Sequence, residues 1–443
     1  KDVIWQNLRD GGRMKNFNQD WSLNYRLPLD KIPLTDWINT DLRYKVGYTW
    51  TAGALNQQET YGNLIQNTRD RGVTGKLDFV KLYNKSEALK KVNTPPRRTS
   101  ASSSRTRTST RTRPQAADTV KSPGAFGNGF LRFIMMIRSV NMTYDVREGT
   151  LLPGFKNTPR LFGMDQNWAS PGWPFILGDQ DPNIRFKAAE NGWLVSDRES
   201  ANLTTNFSQS RIEDLSFKGT LEPFREFKVQ LDMRKNKTAQ YKEIFRFDTT
   251  KFDMGDPSPY SSLTPNRFGT YSISFLAIGT SFVRDRDDNS SEVFDTFLTN
   301  LDVIRQRLNQ VNPVAEYNNE SQDVMIPAFL AAYAKRDVNT IALSPFPGTP
   351  IPNWRVDYSG LGKMEGLREV FSNVTVSHAY SSNYTVQKYT SSQQYSETSL
   401  RNRVEDYPLA TEVNENGDLI PVYVINQVVM GERFSPLIGI SVR

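Results

Sequence analysis

Residues 41–54, "DLRYKVGYTWTAGA", set Leu42, Tyr44, Val46, Tyr48, Trp50 and Ala52 on one parity and Asp41, Arg43, Lys45, Gly47, Thr49 and Thr51 on the other. Successive side chains of an extended backbone point to opposite sides, so alternation this pure predicts a β-strand whose two faces meet different media. Two pairs of media satisfy it. In a soluble sandwich the aromatic parity packs into a core; in a membrane barrel it meets lipid, and Arg43 and Lys45 face a wet lumen.

The pattern recurs along the chain. After a break at Pro223, "FKVQLDMR" opposes Phe227, Val229, Leu231 and Met233 to Lys228, Gln230, Asp232 and Arg234. "RSVNMTYDVREG" sets Val140, Met142, Tyr144 and Val146 against Ser139, Asn141, Thr143 and Asp145, and "NWRVDYSG" sets Trp354, Val356 and Tyr358 against Arg355 and Asp357. "NVTVSHAYSSNYTVQKYTSS", "IPVYVINQVVMGERF" and the closing "RFSPLIGISVR" continue the series. "GTYSISFLAIGTSFV", 269–283, is apolar or small on both parities near its middle, which predicts a strand covered on both sides or one crossing a crowded lumen.

Other segments break the series. Residues 1–40 are polar and turn-rich and end in "YRLPLDKIPLTDW", which predicts an irregular approach rather than a strand interior. "LLPGFKNTPRLFGMDQNWASPGWPFILGDQD" is too punctuated by Gly and Pro for regular structure. Phe294, Phe297, Leu298, Leu301, Ile304 and Leu308 fall at helical spacing, and "DVMIPAFLAAYAKRD" predicts a second short helix, so residues 286–335 form a helical insertion between strands. Residues 94–123 are an Arg/Thr/Ser-rich tract without aromatics, which predicts a disordered loop.

Composition removes several function classes. With no Cys and one His, the chain lacks disulfides, thiolate metal sites and cysteine nucleophiles. His378 has no second His and no nearby acid, which favours a hydrogen-bonded strand histidine over a ligand or base. The acidic run "RDRDD" at 284–288 lacks the ligand spacing of a calcium loop, and no nucleophile elbow, zinc-protease helix or phosphate loop occurs. We therefore expect no enzyme, no cofactor and no metal. The net charge of +7 is also local: residues 84–123 hold ten basic and two acidic side chains, +8, which leaves −1 for the rest. A basic tract without interleaved aromatics argues against nucleic acid and suits a linker or an anion contact. Mean hydropathy of −0.57 excludes apolar helices, not barrel strands, which spend only alternate residues on lipid.

Several blocks together carry a resemblance: "LPLDKIPLTDWINTDLRYKVGYTWTAGA", "GNLIQNTRDRGVTGKLDFVKLYNK", "RFIMMIRSVNMTYDVREGTLLPGF", "ASPGWPFILGDQD" with "NGWL", "GTLEPFREFKVQLDM", "IPAFLAAYA" and "RFSPLIGISVR". In this order they resemble the SprA/Sov family, outer-membrane translocons of the type IX secretion system of Bacteroidetes. The tract 94–123 is not among the shared blocks. The resemblance covers nearly the whole chain and implies an all-β membrane protein: the C-terminal fragment, spanning 1–443, of a very large antiparallel transmembrane β-barrel with long inserted loops and a short helical insertion. It implies a protein-conducting channel exporting folded cargo across the bacterial outer membrane. The implied partners are a PorV-type shuttle barrel, a periplasmic plug subunit, secreted cargo proteins and outer-membrane lipid. The Pro-rich turns "PFPGTPIPNW" and "ASPGWPFILG" are then candidate contact loops.

On this reading Arg43, Lys45, Thr49, Lys228, Gln230, Asp232 and Arg234 face the lumen, either lining the path of cargo or simply holding water. Leu42, Tyr44, Val46, Tyr48, Trp50, Phe227, Val229, Leu231 and Met233 face lipid. The alternatives are a soluble or surface-anchored β-rich adhesin and a nutrient-transport outer-membrane barrel.

Overall fold

The computed structural model describes residue 5 and residues 12–93, 131, 133–284, 286–287, 290–313, 316–364, 366–393 and 412–443; the 94–123 tract lies outside them. The described residues build one antiparallel sheet of eleven strands. Its members are β1 (Asn16–Arg26), β2 (Ile38–Thr51), β3 (Asn63–Asp78), β4 (Ile137–Phe155), β5 (Phe207–Leu221), β6 (Phe227–Phe247), β7 (Tyr260–Ser274), β8 (Asn353–Tyr358), β9 (Val374–Ser391), β10 (Tyr423–Phe434) and β11 (Gly439–Val442). Chain neighbours pair in order from β1 to β7, and β9 and β10 follow. Among the described residues, no helix is long and apolar enough to cross a membrane.

Two expectations are corrected by the pairing. Residues 16–26 are a regular strand matched to β2 from Asn16↔Thr51 to Arg26↔Asp41. Their alternation, with Phe17, Trp21, Leu23 and Tyr25 on one side, is diluted by Gln19, which hid it among polar neighbours. The strand within 269–283 ends at Ser274, and its two sides are covered unequally: Tyr271 and Ile273 are buried, whereas on the other side Thr270 is exposed, Ser272 half-buried and only Ser274, at the exit, buried.

The helices lie in an excursion between β7 and β8. β7 pairs with the second half of β6 down to Ile273↔Lys235, and β8 takes up the same lane at Asn353↔Asp232. Residues 275–352 thus leave and re-enter the sheet in the middle of one strand position. The break in the ladder is closed locally: Arg234 N–H donates to Ser274 Oγ at 2.8 Å, Ser382 N–H to Asn353 Oδ1 at 2.7 Å, and Ile351 N–H to Ser274 O at 3.0 Å. Short polar residues at both exits supply the bonds that an uninterrupted backbone would have made. The excursion carries two helices, Glu292–Val311 and Gln322–Tyr333. The second is apolar nearly all round because it is sandwiched: Val324 and Ala328 meet Ile304 and Leu308 of the first, while Ile326 and Leu330 meet Tyr271, Ile273, Tyr384 and Val386 of the sheet.

A second cover, residues 156–206, lies on the same face over β2 to β6. Phe175, Ile176, Ile184 and Ala188 pack on Tyr48, Trp50, Ile65, Leu152, Phe207 and Tyr241. Buried polar groups fix its seat: Asn67 Nδ2 donates to the carbonyls of Phe175 and Asp179, both at 2.8 Å, and Trp50 Nε1 donates to Asn157 O at 3.0 Å. Gly178, at φ +84°, lets the backbone approach so closely that a Cβ would stand 2.9 Å from Val46 Cγ1. Tyr260, buried below this cover, donates to Val195 O at 3.1 Å.

Asp165 ties the outer turn of this cover. Its carboxylate accepts the N–H groups of Asn167 and Ala169 at 3.1 and 2.9 Å and the Ser170 hydroxyl at 2.8 Å. Burial works upward on this carboxyl, but the bonds from Ala169, Ser170 and Asn167 outweigh it and hold the group below its ordinary value. A depressed carboxyl stabilises the fold above its unfolded pKa of about 3.9 and loses that contribution as pH falls through the folded value. We expect the turn to loosen only below about pH 4, seen as faster proteolysis between Asp165 and Ser170. Asp165→Asn should loosen it at neutral pH and abolish the acid step; an unchanged acid step would exclude Asp165 as its origin.

Candidate functional site

The antiparallel registers make each face of the sheet a set of rows running across the strands. One row reads Leu42, Val73, Tyr144, Leu215; a row nearer the β5–β6 turn reads Gly219, Leu231, Trp354, Tyr380. The first of these rows ends on Lys235 of β6; from there to the strand ends, this face of β2 to β6, β8 and β9 carries no other Asp, Glu, Lys or Arg at its ladder positions. It presents Leu42, Val73, Tyr144, Met142, Leu215, Phe217, Met233, Leu231, Val229, Phe227, Val356 and Tyr358 instead. Unlike the covered half, this band lies open on β3 and β4, where Val73 is 42% exposed and Met142 46%; its side chains on β5, β6 and β8 are half-buried, and Tyr380 on β9 is buried.

The other face is predominantly polar, interrupted at positions such as Leu64, Leu151 and Ile212, and the intervening rows hold its charges. Arg43 bonds Asp145 at 2.7 Å and also reaches Asp70 at 3.5 Å; Lys45 lies 3.9 Å from Asp20. Arg234 pairs with Asp232 at 3.0 Å, and Arg355 forks onto Asp357 at 3.0 and 3.1 Å. Lys228 is exposed opposite Asp357, Gln230 is exposed opposite Arg355, and Thr49 is half-buried beside Gln66. Hydroxyl pairs fill the gaps, as at Thr238 and Thr270, 2.8 Å apart. Gly72 makes the Arg43 bridge possible, since a Cβ there would strike Asp145 Oδ1. A groove of ≈ 350 Å³ opens on this side between β3, β4 and β5, lined by Lys45, Gln66, Asp70, Arg147 and Ser210. Charges of both signs, exposed and mutually compensated, make a wetted surface without strong preference for one sign of ligand.

All seven residues expected on the lumen side therefore share the polar face, and all nine expected on the lipid side share the apolar face. Within the second group the structure separates two environments. Leu42, Tyr44, Phe227, Val229, Leu231 and Met233 belong to the apolar band or its margin. Val46, Tyr48 and Trp50 are each 1% exposed beneath the 156–206 cover. Their expected contact with lipid is corrected: they pack on protein, because alternation reports an apolar face and is silent on what the chain folds over it. Sequence reading also missed Asp20, Trp21, Leu23 and Tyr25 of β1, and Asp70 and Asp145, the partners of Arg43. The β1 residues were signalled by their own alternation; the partners of Arg43 depend on register, which no local pattern reveals.

His378 stands on the apolar face, its Nδ1–H donating to Leu437 O at 2.6 Å between the rings of Trp354 and Phe434. In the 284–288 run, Asp285 and Asp288 lie outside the described residues, and Arg286 pairs with Asp295 at 2.8 Å. No protein-family model and no curated protein matches the chain.

Proposed function

We propose that this sheet is part of the wall of a large transmembrane β-barrel in the bacterial outer membrane, and that its polar face lines a passive, protein-conducting channel of the type IX secretion kind that the sequence resembles. The observation that carries the reading is the apolar band running across β2 to β6, β8 and β9, open at Val73, Tyr144 and Met142 and backed on every strand by a polar, mostly charged or hydroxylated surface. A soluble protein rarely leaves so large an apolar patch open to water. Leu215–Leu221 spans roughly 20 Å at about 3.3 Å per residue, the scale of the apolar band of outer-membrane barrels, about 25 Å. The compensated charges of the other face suit a water-filled conduit that must hold neither acidic nor basic cargo tightly. Cargo proteins would pass along it, and a PorV-type shuttle barrel and a periplasmic plug subunit would meet the sheet edges and covers.

Spin labels at single cysteines through 215–221 and 228–234 of the intact protein in bilayers test this. We expect oxygen access to peak at odd positions and access of a water-soluble nickel reagent at even ones. Odd positions shielded from both reagents would overturn the membrane reading in favour of a soluble β-rich protein whose band is covered by another chain.

A further inference from the structure

Between the covered half of the apolar face and the apolar band runs a strip of charge. Val46↔Arg69↔Glu148↔Arg211 forms its upper row, and Tyr44↔Arg71↔Val146↔Glu213↔Lys237 its lower row. With Lys235 in the next row, five cations face two carboxylates, a net +3. Glu148 is the hub, its side chain only 6% exposed. Arg69 reaches Glu148 from Nε at 3.0 Å and Nη2 at 2.9 Å, Arg71 from Nη2 at 2.9 Å, and Arg211 from Nη1 at 3.4 Å. Arg211 is also bonded to Glu213, from Nε and Nη2 at 2.6 Å, so three guanidiniums share two carboxylates and leave one positive charge in excess. It is most accessible at Arg71 and Arg211, whose side chains are 45% and 34% exposed.

The strip's position is specific. Gly178 of the 156–206 cover stands against Val46 and Arg69, and beyond it the cover reaches the next row only at Tyr44, whose hydroxyl donates to Leu177 O at 3.0 Å, so at Arg71 the sheet is open, with that side chain 45% exposed against 19% for Arg69. Val73 and Tyr144 begin the band directly below. At the level of the strip, on the β1 side, four exposed rings form a chain: Trp21 to Phe162 at 6.4 Å, Phe162 to Trp173 at 6.3 Å, and Trp173 to Trp168 at 6.1 Å. Phe162 and Trp168 hold left-handed backbone, φ +54° and +57°, which bulky residues rarely adopt. Tryptophans and cations at one level above an apolar wall are the arrangement a bilayer interface selects.

We propose that Arg71, Arg211 and their neighbours in this strip bind the phosphate of an anionic membrane lipid, whose acyl chains lie along Val73, Tyr144 and Met142; this rests on the barrel reading. A guanidinium fork matches phosphate oxygens in pairs, and Arg71 gives only one bond to Glu148.

The test is native mass spectrometry of the intact protein in mild detergent, offered lipid A with both phosphates, lipid A stripped of phosphate, or inorganic pyrophosphate as competitor. The expected result is retention of phosphorylated lipid A only, reduced roughly tenfold or more in Arg71→Gln/Arg211→Gln and unchanged in the polar-face control Lys228→Gln. Glu148 keeps Arg69 in the double variant; should that variant misfold, Arg71→Gln alone gives the same direction. Equal retention of the stripped lipid, equal retention by a folded variant, or complete displacement by pyrophosphate would each overturn the lipid site while leaving the barrel intact. A protein that needs no detergent and stays apart from vesicles would overturn both.

Discussion

Leu231→Arg is expected to cost about 2 to 4 kcal/mol of stability in the bilayer, whereas Gln230→Arg, one residue away, should stay within about 0.5 kcal/mol of the parent. Leu231 lies in the middle of the apolar band between Gly219 and Trp354, and Gln230 lies between Thr220 and Arg355 on the polar face. The neighbours differ only in side, so the contrast isolates the medium. Urea unfolding in liposomes measures it. Equal costs at both positions would refute the assignment of faces, and a small cost at Leu231 would mean that the band meets water or a polar partner. Val46, in the same parity of β2, is a poor site for this experiment. A charge there would be forced against Gly178 and the 156–206 cover, so its cost would report a core defect in any medium.

The second large effect is expected at the buried pair that pins the cover to the sheet. Arg185 and Glu243 form an ion pair with side-chain exposures of 4% and 0%. The guanidinium lies 4.4 Å from the ring of Phe186, 5.0 Å from Phe207 and 5.3 Å from Tyr241, and Tyr241 donates to Glu243 at 2.7 Å. Removing either partner strands the other charge in a poorly hydrated place. Arg185→Ala or Glu243→Ala should therefore cost about 3 to 5 kcal/mol. The double replacement Arg185→Met/Glu243→Leu should recover most of that, because an apolar pair of similar volume leaves no charge unpaired. Thermal unfolding reads the magnitude, and proteolysis within 156–206 reads the location. A single variant as stable as the parent would show that the pair contributes little, and a double variant no better than the singles would show that packing around Arg185 dominates.

Much of the wall was legible beforehand because period-two alternation survives any change of partner strand. β2, β4, β6, β8 and β9 each announce themselves through an apolar parity opposed to a polar one, charged in the first four and hydroxylated in β9. β1 escaped notice because Gln19 interrupts its apolar side and prolines follow it closely. The helices were legible from Phe294 to Leu308 and in "DVMIPAFLAAYAKRD", since a 3.6-residue period is equally local. Their attachment was not. That β7 stops at Ser274 and its lane resumes at Asn353 is decided by pairing with β6 and β9, far away in sequence.

The same division applies to the candidate site. By itself the sequence determined which residues share a face, because parity along a strand is a covalent consequence of extended geometry: Arg43, Lys45 and Lys228 on one side, Tyr44, Val46 and Leu231 on the other. Only the tertiary structure decided what each face meets. Arg43 found Asp145, Arg71 found Glu148, and Tyr48 disappeared under Phe175 while Val73 stayed bare. Those outcomes depend on strand register and on where long excursions settle. Both are set by the summed packing of distant segments, which no local pattern encodes.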